Sequence, residues 1–206
     1  MSMARELEPE ESEGPRSDGL RHAGIPSSLA RAIRLAILDV DGVLTDAGVY
    51  IGETADGKPV ELKRFDIQDG IGIRLLKESG VCVALVSGRI SAATTLRARE
   101  LEIEECYQDA GAKKLPLVRG LLRRHGLEWS QVAMLADDLA DLPVFRKVGL
   151  PVAVGNAVEE VKREAVWISC RSGGHGAVRE FSQALLGARG EWDGAVEAYC
   201  AVCGEE

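Results

Sequence analysis

Aromatic residues are scarce in this chain: three Trp, three Tyr and three Phe make up 4% of its 206 residues. A core of this size must therefore be built from Leu, Val, Ile and Ala. Basic clusters are missing too. The formal charge is -8, and a nucleic-acid surface, which needs grouped Lys and Arg, is excluded. A small anionic partner stays open wherever a few basic residues converge. No apolar run approaches the ~18 residues of a membrane span, and no signal-peptide-like apolar segment opens the chain. The cysteines are few and odd in number, Cys82, Cys106, Cys170, Cys200 and Cys203, and three sit in apolar runs. That pattern argues for a reduced, cytoplasmic interior rather than a disulfide framework. No internal repeat is present.

What is there suits one well-buried core at 22.1 kDa. Residues 1–30 mix acids, Gly, Pro and Ser without periodicity and read as a disordered leader, residues 31–187 as the domain, and residues 188–206 as a C-terminal tail. Within the domain "LAILDVD" is a buried strand, and "VYIGETADGKPVELKRF" is a hairpin turning at Asp56-Gly57. "DGIGIRLLKESG" has helical spacing and stops at Gly80, before the apolar strand "VCVALVSG". A helix over Ser91–Leu101, a short strand "CYQDA" and a helix over Lys114–His125 follow. Then come the strand "VAMLADD", a short helix "LADLPVFRKVG", the strand "LPVAVG", the helix "AVEEVKREA", the strand "VWISC" and the helix "GAVREFSQALLGA". Apolar strands alternating with helices predict an α/β, Rossmann-like parallel sheet with helices on both faces. Ligands of such sheets bind beyond the carboxyl ends of the strands.

Three strands end in chemistry: "LDVD" with Asp39 and Asp41, "LVSG" with Ser87, and "LADD" with Asp137 and Asp138. Burying carboxylates costs free energy unless they are paired or bound to metal, and several meeting in one crevice repel. A hard divalent cation relieves that repulsion. Mg²⁺ prefers oxygen ligands and takes one or two carboxylates plus a substrate phosphate, so the pattern points to a metal ion and, through it, a phosphate.

"DVDGVLTD", "SGR" at 87–89, a Lys near 114 and "DDLAD" at 137–141, in that order after strands, resemble the four motifs of the haloacid dehalogenase phosphohydrolases. Each alone is weak: "DVDG" can be a metal-free turn, Ser87-Gly88 a helix-capping turn and Lys114 a solvated helix residue. Together they carry the resemblance. Asp41 to Ser87 spans 46 residues, filled by the hairpin and one helix, and Lys114 to Asp137 spans 23, enough for one helix. Neither gap holds a cap domain, so the expected fold has a β-hairpin flap and no cap. From about Leu35 to Leu186 the chain resembles the capless 3-deoxy-D-manno-octulosonate 8-phosphate phosphatases of lipopolysaccharide synthesis, with "ELKRFDIQDGIGIR", "DDLADLPVFRKVGLPVAV" and "GGHGAVRE" in support.

The resemblance implies a Mg²⁺-dependent hydrolase of a small anionic sugar phosphate, a homotetramer, with "RSGGHGAVRE" able to reach a neighbouring site. It assigns catalysis to Asp39 as nucleophile, Asp41 as general acid and base, and Ser87 and Lys114 as phosphoryl ligands. Lys114 rather than Lys113 keeps the family's distance to the "DD" motif. Metal contacts fall to Asp39, the backbone carbonyl of Asp41, and Asp137, with Asp138 supporting. Substrate contacts fall to Asp41, Asp66, Gln68, Asp69, Gly70, Arg74, Gly88, Arg89, Arg97, Lys114 and His175, the arginines suiting a carboxylate through their bidentate fork.

Two positions depart from the family: Gln68 stands where Arg is common before Asp-Gly, and His175 stands where "GGRGAVRE" has Arg. His is mostly neutral near pH 7 and pairs less well with a carboxylate; Arg64, beside the altered segment, is a candidate to compensate. The retained "SGR" favours the octulosonate branch over nine-carbon sugar-acid phosphatases, which tend to carry Glu after the Gly. A phosphatase for another sugar acid or small ester is the alternative. A second is a noncatalytic assembly module, against which Asp39 and Asp41 both stand. Cys200-x-x-Cys203 reads either as half of a redox or zinc site without a second pair nearby, or as part of a tail helix.

Overall fold

The strand β1 (Leu35–Leu38) consists of four apolar residues, all buried, and becomes the middle of the sheet because both of its faces are covered. The computed structural model describes residues 24–204, so the expected leader up to residue 23 lies outside the described residues. Strands β4 (Cys82–Ser87) and β6 (Val132–Ala136) flank β1, with β5 (Glu105–Gln108) outside β4, and β7 (Leu150–Ala153) and β8 (Trp167–Ile168) outside β6. Every pairing in this six-stranded sheet is parallel, in the order β5-β4-β1-β6-β7-β8. The expected parallel α/β sheet is thus the observed one.

The crossovers supply the helices, numbered along the chain as α2 (Ile67–Glu78), α3 (Ala92–Glu100), α4 (Lys114–His125), α5 (Leu142–Phe145), α6 (Glu159–Glu164) and α7 (Ala177–Arg189). α2 packs on α7, while α4 packs on α5; both α2 and α4 rest on β4, which leaves a helical layer on each face. The segment expected as one short helix at 139–149 is a 3-10 turn, Leu139–Asp141, that leads into α5. Between β1 and α2 the chain leaves the sheet as an antiparallel hairpin, β2 (Tyr50–Glu53) and β3 (Pro59–Leu62), with Gly57 at φ +75° in its turn.

Two further helices lie at the ends of the described residues, one overlapping the expected disordered leader and one in the expected C-terminal tail. α1 (Ser27–Ala32) begins inside the expected leader and ends past its boundary at residue 30; Ile25 and Ala30 of the leader are buried, as is Ile33, and α1 packs on α7. The Arg189 guanidinium fixes it by donating to the carbonyls of Ala30 and Ile33. Beyond α7, the expected tail forms α8 (Trp192–Gly204), which folds back on α2 and α7. Arg179 lies over the Trp192 ring at 4.7 Å and Arg74 over the Tyr199 ring at 5.0 Å, so cation–π contacts seat the helix. α8 agrees with the tail-helix reading of Cys200-x-x-Cys203; α7 precedes it directly, while its other docking partner, α2, is far away in sequence.

Candidate active site

The middle position of β1 decides the site. β4, β1 and β6 are adjacent and parallel, so their carboxyl ends bring Ser87, Asp39 and Asp137 to one edge of the sheet. Immediately after Asp39 the chain turns through Val40–Leu44, where Asp41 takes φ -78° and ψ 109° and Gly42 takes φ +95°. Gly42 is required twice over: its φ is left-handed, and a Cβ there would overlap the Asp137 carboxylate. The close approach lets a carboxylate from β6 lie against the turn from β1.

Asp39, Asp137 and Asp141 each place a carboxylate oxygen within 4.8 Å of the others. Lys114, at the first turn of α4, reaches between two of them, with Nζ 2.6 Å from Asp39 Oδ1 and 2.5 Å from Asp141 Oδ1. Burial opposes the ammonium, but the two carboxylates outweigh it and hold the Lys114 pKa above its usual value. Among the described residues, one bridging cation faces three acids, too little to neutralise them. Burial, then the charges of Asp39 and Asp141, push Asp137 up to about 8; burial and Asp39 push Asp141 up to about 7 against the pull of Lys114; burial raises Asp39 as well. Asp137 Oδ1 and Asp141 Oδ2 are buried without a hydrogen-bond partner among the described residues. Oxygen-only donors, unsatisfied and mutually repelling, fit a hard divalent cation.

Asp41 stands apart from this trio and faces the hairpin. Its Oδ1 lies 2.7 Å from Lys63 Nζ, a charge contact out of line for a hydrogen bond, and its Oδ2 lies 3.9 Å from Arg89 Nε. Its side chain thus meets the cations of the hairpin and of the Ser87 loop rather than the trio. Ser87 is buried at the end of β4, where its Oγ accepts from the Arg89 amide at 3.1 Å. Gly88 follows in that loop. The loop is tied to β3 through Glu61, which receives Arg89 Nη2 at 2.9 Å and the Ser91 hydroxyl at 2.6 Å. The Ser91 hydrogen bond, with Lys63 and Arg89, holds the Glu61 carboxyl below its usual range.

Residues 108–180 match the family of haloacid dehalogenase-like hydrolases. The chain is 41% identical over 164 residues to the 3-deoxy-D-manno-octulosonate 8-phosphate phosphatase KdsC of Escherichia coli strain K12, covering 80% of this chain and 85% of that protein. The chain belongs to this phosphatase family. Among solved structures it resembles the Yersinia pestis 3-deoxy-D-manno-octulosonate 8-phosphate phosphatase, at 40% identity and a TM-score of 0.76, over 82% of this chain and 88% of that one. The Moraxella catarrhalis phosphatase of the same name, solved with magnesium, phosphate and KDO, aligns at 36% identity and a TM-score of 0.77, over 84% and 97% of the two chains.

The remaining positions that the family resemblance singled out divide into two groups. Around the Gly-Gly segment, Asp66 caps α2 and accepts from the Gln68 amide at 2.8 Å, and the Gln68 side chain lies near Gly176. The Arg64 guanidinium donates to the Gly174 carbonyl and lies 3.5 Å from His175 Nδ1. Gly173 packs so tightly on the Gly42 carbonyl that a Cβ would overlap it, so this segment braces the turn of its own subunit. Asp69 is buried, accepts the Arg179 amide at 2.8 Å, and is pushed up to about 6 by burial; its contact is with the first turn of α7. The second group sits elsewhere: Gly70, Arg74 and Arg97 line a groove between α2 and α3 beside Tyr199. Arg74 pairs with Glu78 at 2.7 Å, and Arg97 donates to the Asp66 carbonyl and pairs with Glu100 at 2.9 Å. Their contacts are with these partners and not with the carboxylate cluster.

Sequence reasoning missed two groups. The motif "DDLAD" offers Asp138 as the support of the metal and no role for Asp141; in the structure Asp138 is exposed and caps the 3-10 turn through the Leu139 amide, while that turn aims Asp141 at Lys114. A turn of three residues after Asp138 is the signal that would have found it. Lys63 carried no signal beyond its place in the hairpin.

Proposed function

We propose that this chain is a Mg²⁺-dependent phosphatase that hydrolyses 3-deoxy-D-manno-octulosonate 8-phosphate to the free sugar acid and phosphate. The observation that carries this reading is Asp39: a buried carboxylate at the end of the central strand, with Lys114 on one oxygen and Asp137 and Asp141 beside it. An Asp39 oxygen attacks phosphorus in line, the bond from phosphorus to the sugar oxygen breaks, and Asp41 gives that oxygen its proton. Water then attacks the aspartyl phosphate, passing a proton to Asp41 and freeing Asp39. Ser87 and Lys114 bind the phosphoryl oxygens, and Asp141 keeps Lys114 charged and aimed. Held by Asp39, Asp137 and the Asp41 carbonyl, Mg²⁺ would supply positive charge against the approach of one anion to another.

Arg89, whose guanidinium is half exposed beside Asp41, suits the sugar acid's carboxylate. At the two altered positions, Arg64 beside His175 offers the guanidinium that Gln68 and His175 lack, and this favours a sugar-acid ester over an uncharged sugar phosphate. The reading includes a homotetramer. Its support is a set of exposed apolar side chains on the hairpin and the elements after it, Tyr50, Ile51, Leu62, Ile67, Ile90 and Leu96, which a neighbouring subunit would cover, together with the groove of Arg74 and Arg97. It also includes a cytoplasmic place in lipopolysaccharide synthesis, a compartment that suits the free thiols of Cys82 and Cys106.

The test is Mg²⁺-dependent phosphate release from the octulosonate phosphate, nine-carbon sugar-acid phosphates and simple sugar phosphates, with Asp39→Asn as control. The octulosonate phosphate should give the highest kcat/KM and the variant no turnover. A higher value for another ester would move the assignment to that ester, and no turnover at all in the unaltered protein would return the assembly-module reading.

A further inference from the structure

The hairpin is more than a cover. Its second strand ends at Leu62, and the next residue sends a lysine side chain inward: the Lys63 side chain is 0% exposed, with Nζ 2.7 Å from Asp41 Oδ1 and 3.7 Å from Glu61 Oε1. No hydrogen bond of good geometry compensates that ammonium among the described residues. An ion pair of this kind adds little to stability, because taking two charges out of water costs about as much as their attraction returns. A folding role is therefore a poor account of it. The surroundings hold Lys63 in place from both sides: the bridge between Thr45 and Phe65 closes the base of the hairpin on the Asp41 turn, and Glu61 anchors β3 to Ser91 and Arg89.

We propose that Lys63 is a positioning residue for the reaction, acting through Asp41. Lys63 fixes the Asp41 carboxyl toward the face from which the sugar oxygen departs and water later arrives, and away from the Asp39, Asp137 and Asp141 trio. As Asp41 gives up its proton, negative charge grows on its carboxylate, and a cation already in place stabilises that change without rearrangement. The inference rests on the reading of Asp41 as general acid and base.

Leaving-group chemistry isolates the effect. The octulosonate alkoxide must be protonated to depart, whereas p-nitrophenolate departs without a proton. In Lys63→Gln, single-turnover release of p-nitrophenol from p-nitrophenyl phosphate should stay within about threefold of the unaltered protein, while single-turnover cleavage of the sugar phosphate falls about 100-fold. Steady-state turnover of both falls, because hydrolysis of the aspartyl phosphate also uses Asp41. Lys63→Met, of similar length and apolar, should give the same split and serves if the Gln variant fails to fold. Equal loss of both single-turnover rates would overturn the inference, since it would place Lys63 on the phosphoryl group or in the fold; unchanged rates for both would overturn it too. Asp41→Asn is the companion variant. If it shows the split and the Lys63 variants do not, the inference alone falls. If Asp41→Asn cleaves the sugar phosphate at full rate, the reading of Asp41 falls and takes the inference with it.

Discussion

Replacing Asp137 by Asn should stabilise the metal-free protein while abolishing turnover. Burial, with Asp39 and Asp141 close by, raises the Asp137 carboxyl from 3.8 to about 8. The folded state therefore binds this proton more tightly than the unfolded state, and stability is lost as pH rises from about 4 through about 8. At pH 7 the gap is about three pKa units, or roughly 4 kcal/mol at about 1.36 kcal/mol each. Asp137 as a whole is only partly buried and the repulsion is shared with Asp39 and Asp141, so the gain on removing its charge should be smaller, about 1–3 kcal/mol. The assay is urea unfolding in the presence of a chelator at about pH 5.5 and about pH 8. The unaltered protein should lose stability between the two, Asp137→Asn should lose less, and Mg²⁺ should stabilise the first far more than the second. A variant less stable than the unaltered protein at the higher pH, or an unaltered protein whose stability does not change with pH, would refute the claim that these acids await a cation.

Three further outcomes follow from the same geometry. Lys114→Met removes the ammonium that bridges Asp39 and Asp141 and should lower kcat for phosphate release by at least ~100-fold, with circular dichroism showing the fold intact. Gly42→Ala forces a Cβ into the Asp137 carboxylate at a left-handed φ and should cost about 1–3 kcal/mol in urea unfolding, as well as weaken Mg²⁺ binding measured by calorimetry. Arg64→Ala should raise KM for the sugar-acid phosphate about tenfold or more and leave KM for p-nitrophenyl phosphate unchanged; equal KM shifts would assign Arg64 to bracing Gly174 alone.

The alternation of apolar runs with helical spacing specified the parallel sheet, because each strand and each crossover helix carries its own pattern within a dozen residues. The acids at strand ends, Asp39 and Asp137, were legible for a related reason: a charge that closes a buried run has to have a partner, whatever the rest of the chain does. The sequence by itself thus determined the fold class and two of the three clustered acids, Asp39 and Asp137. Only the tertiary structure decided which groups answer them. Asp141 reaches Lys114 because a 3-10 turn rotates it inward, Lys63 meets Asp41 because the hairpin closes over the turn, and α8 docks because Trp192 and Tyr199 find arginines on α7 and α2. Each of these contacts joins different elements of the fold, and its free energy depends on a geometry that no local pattern encodes.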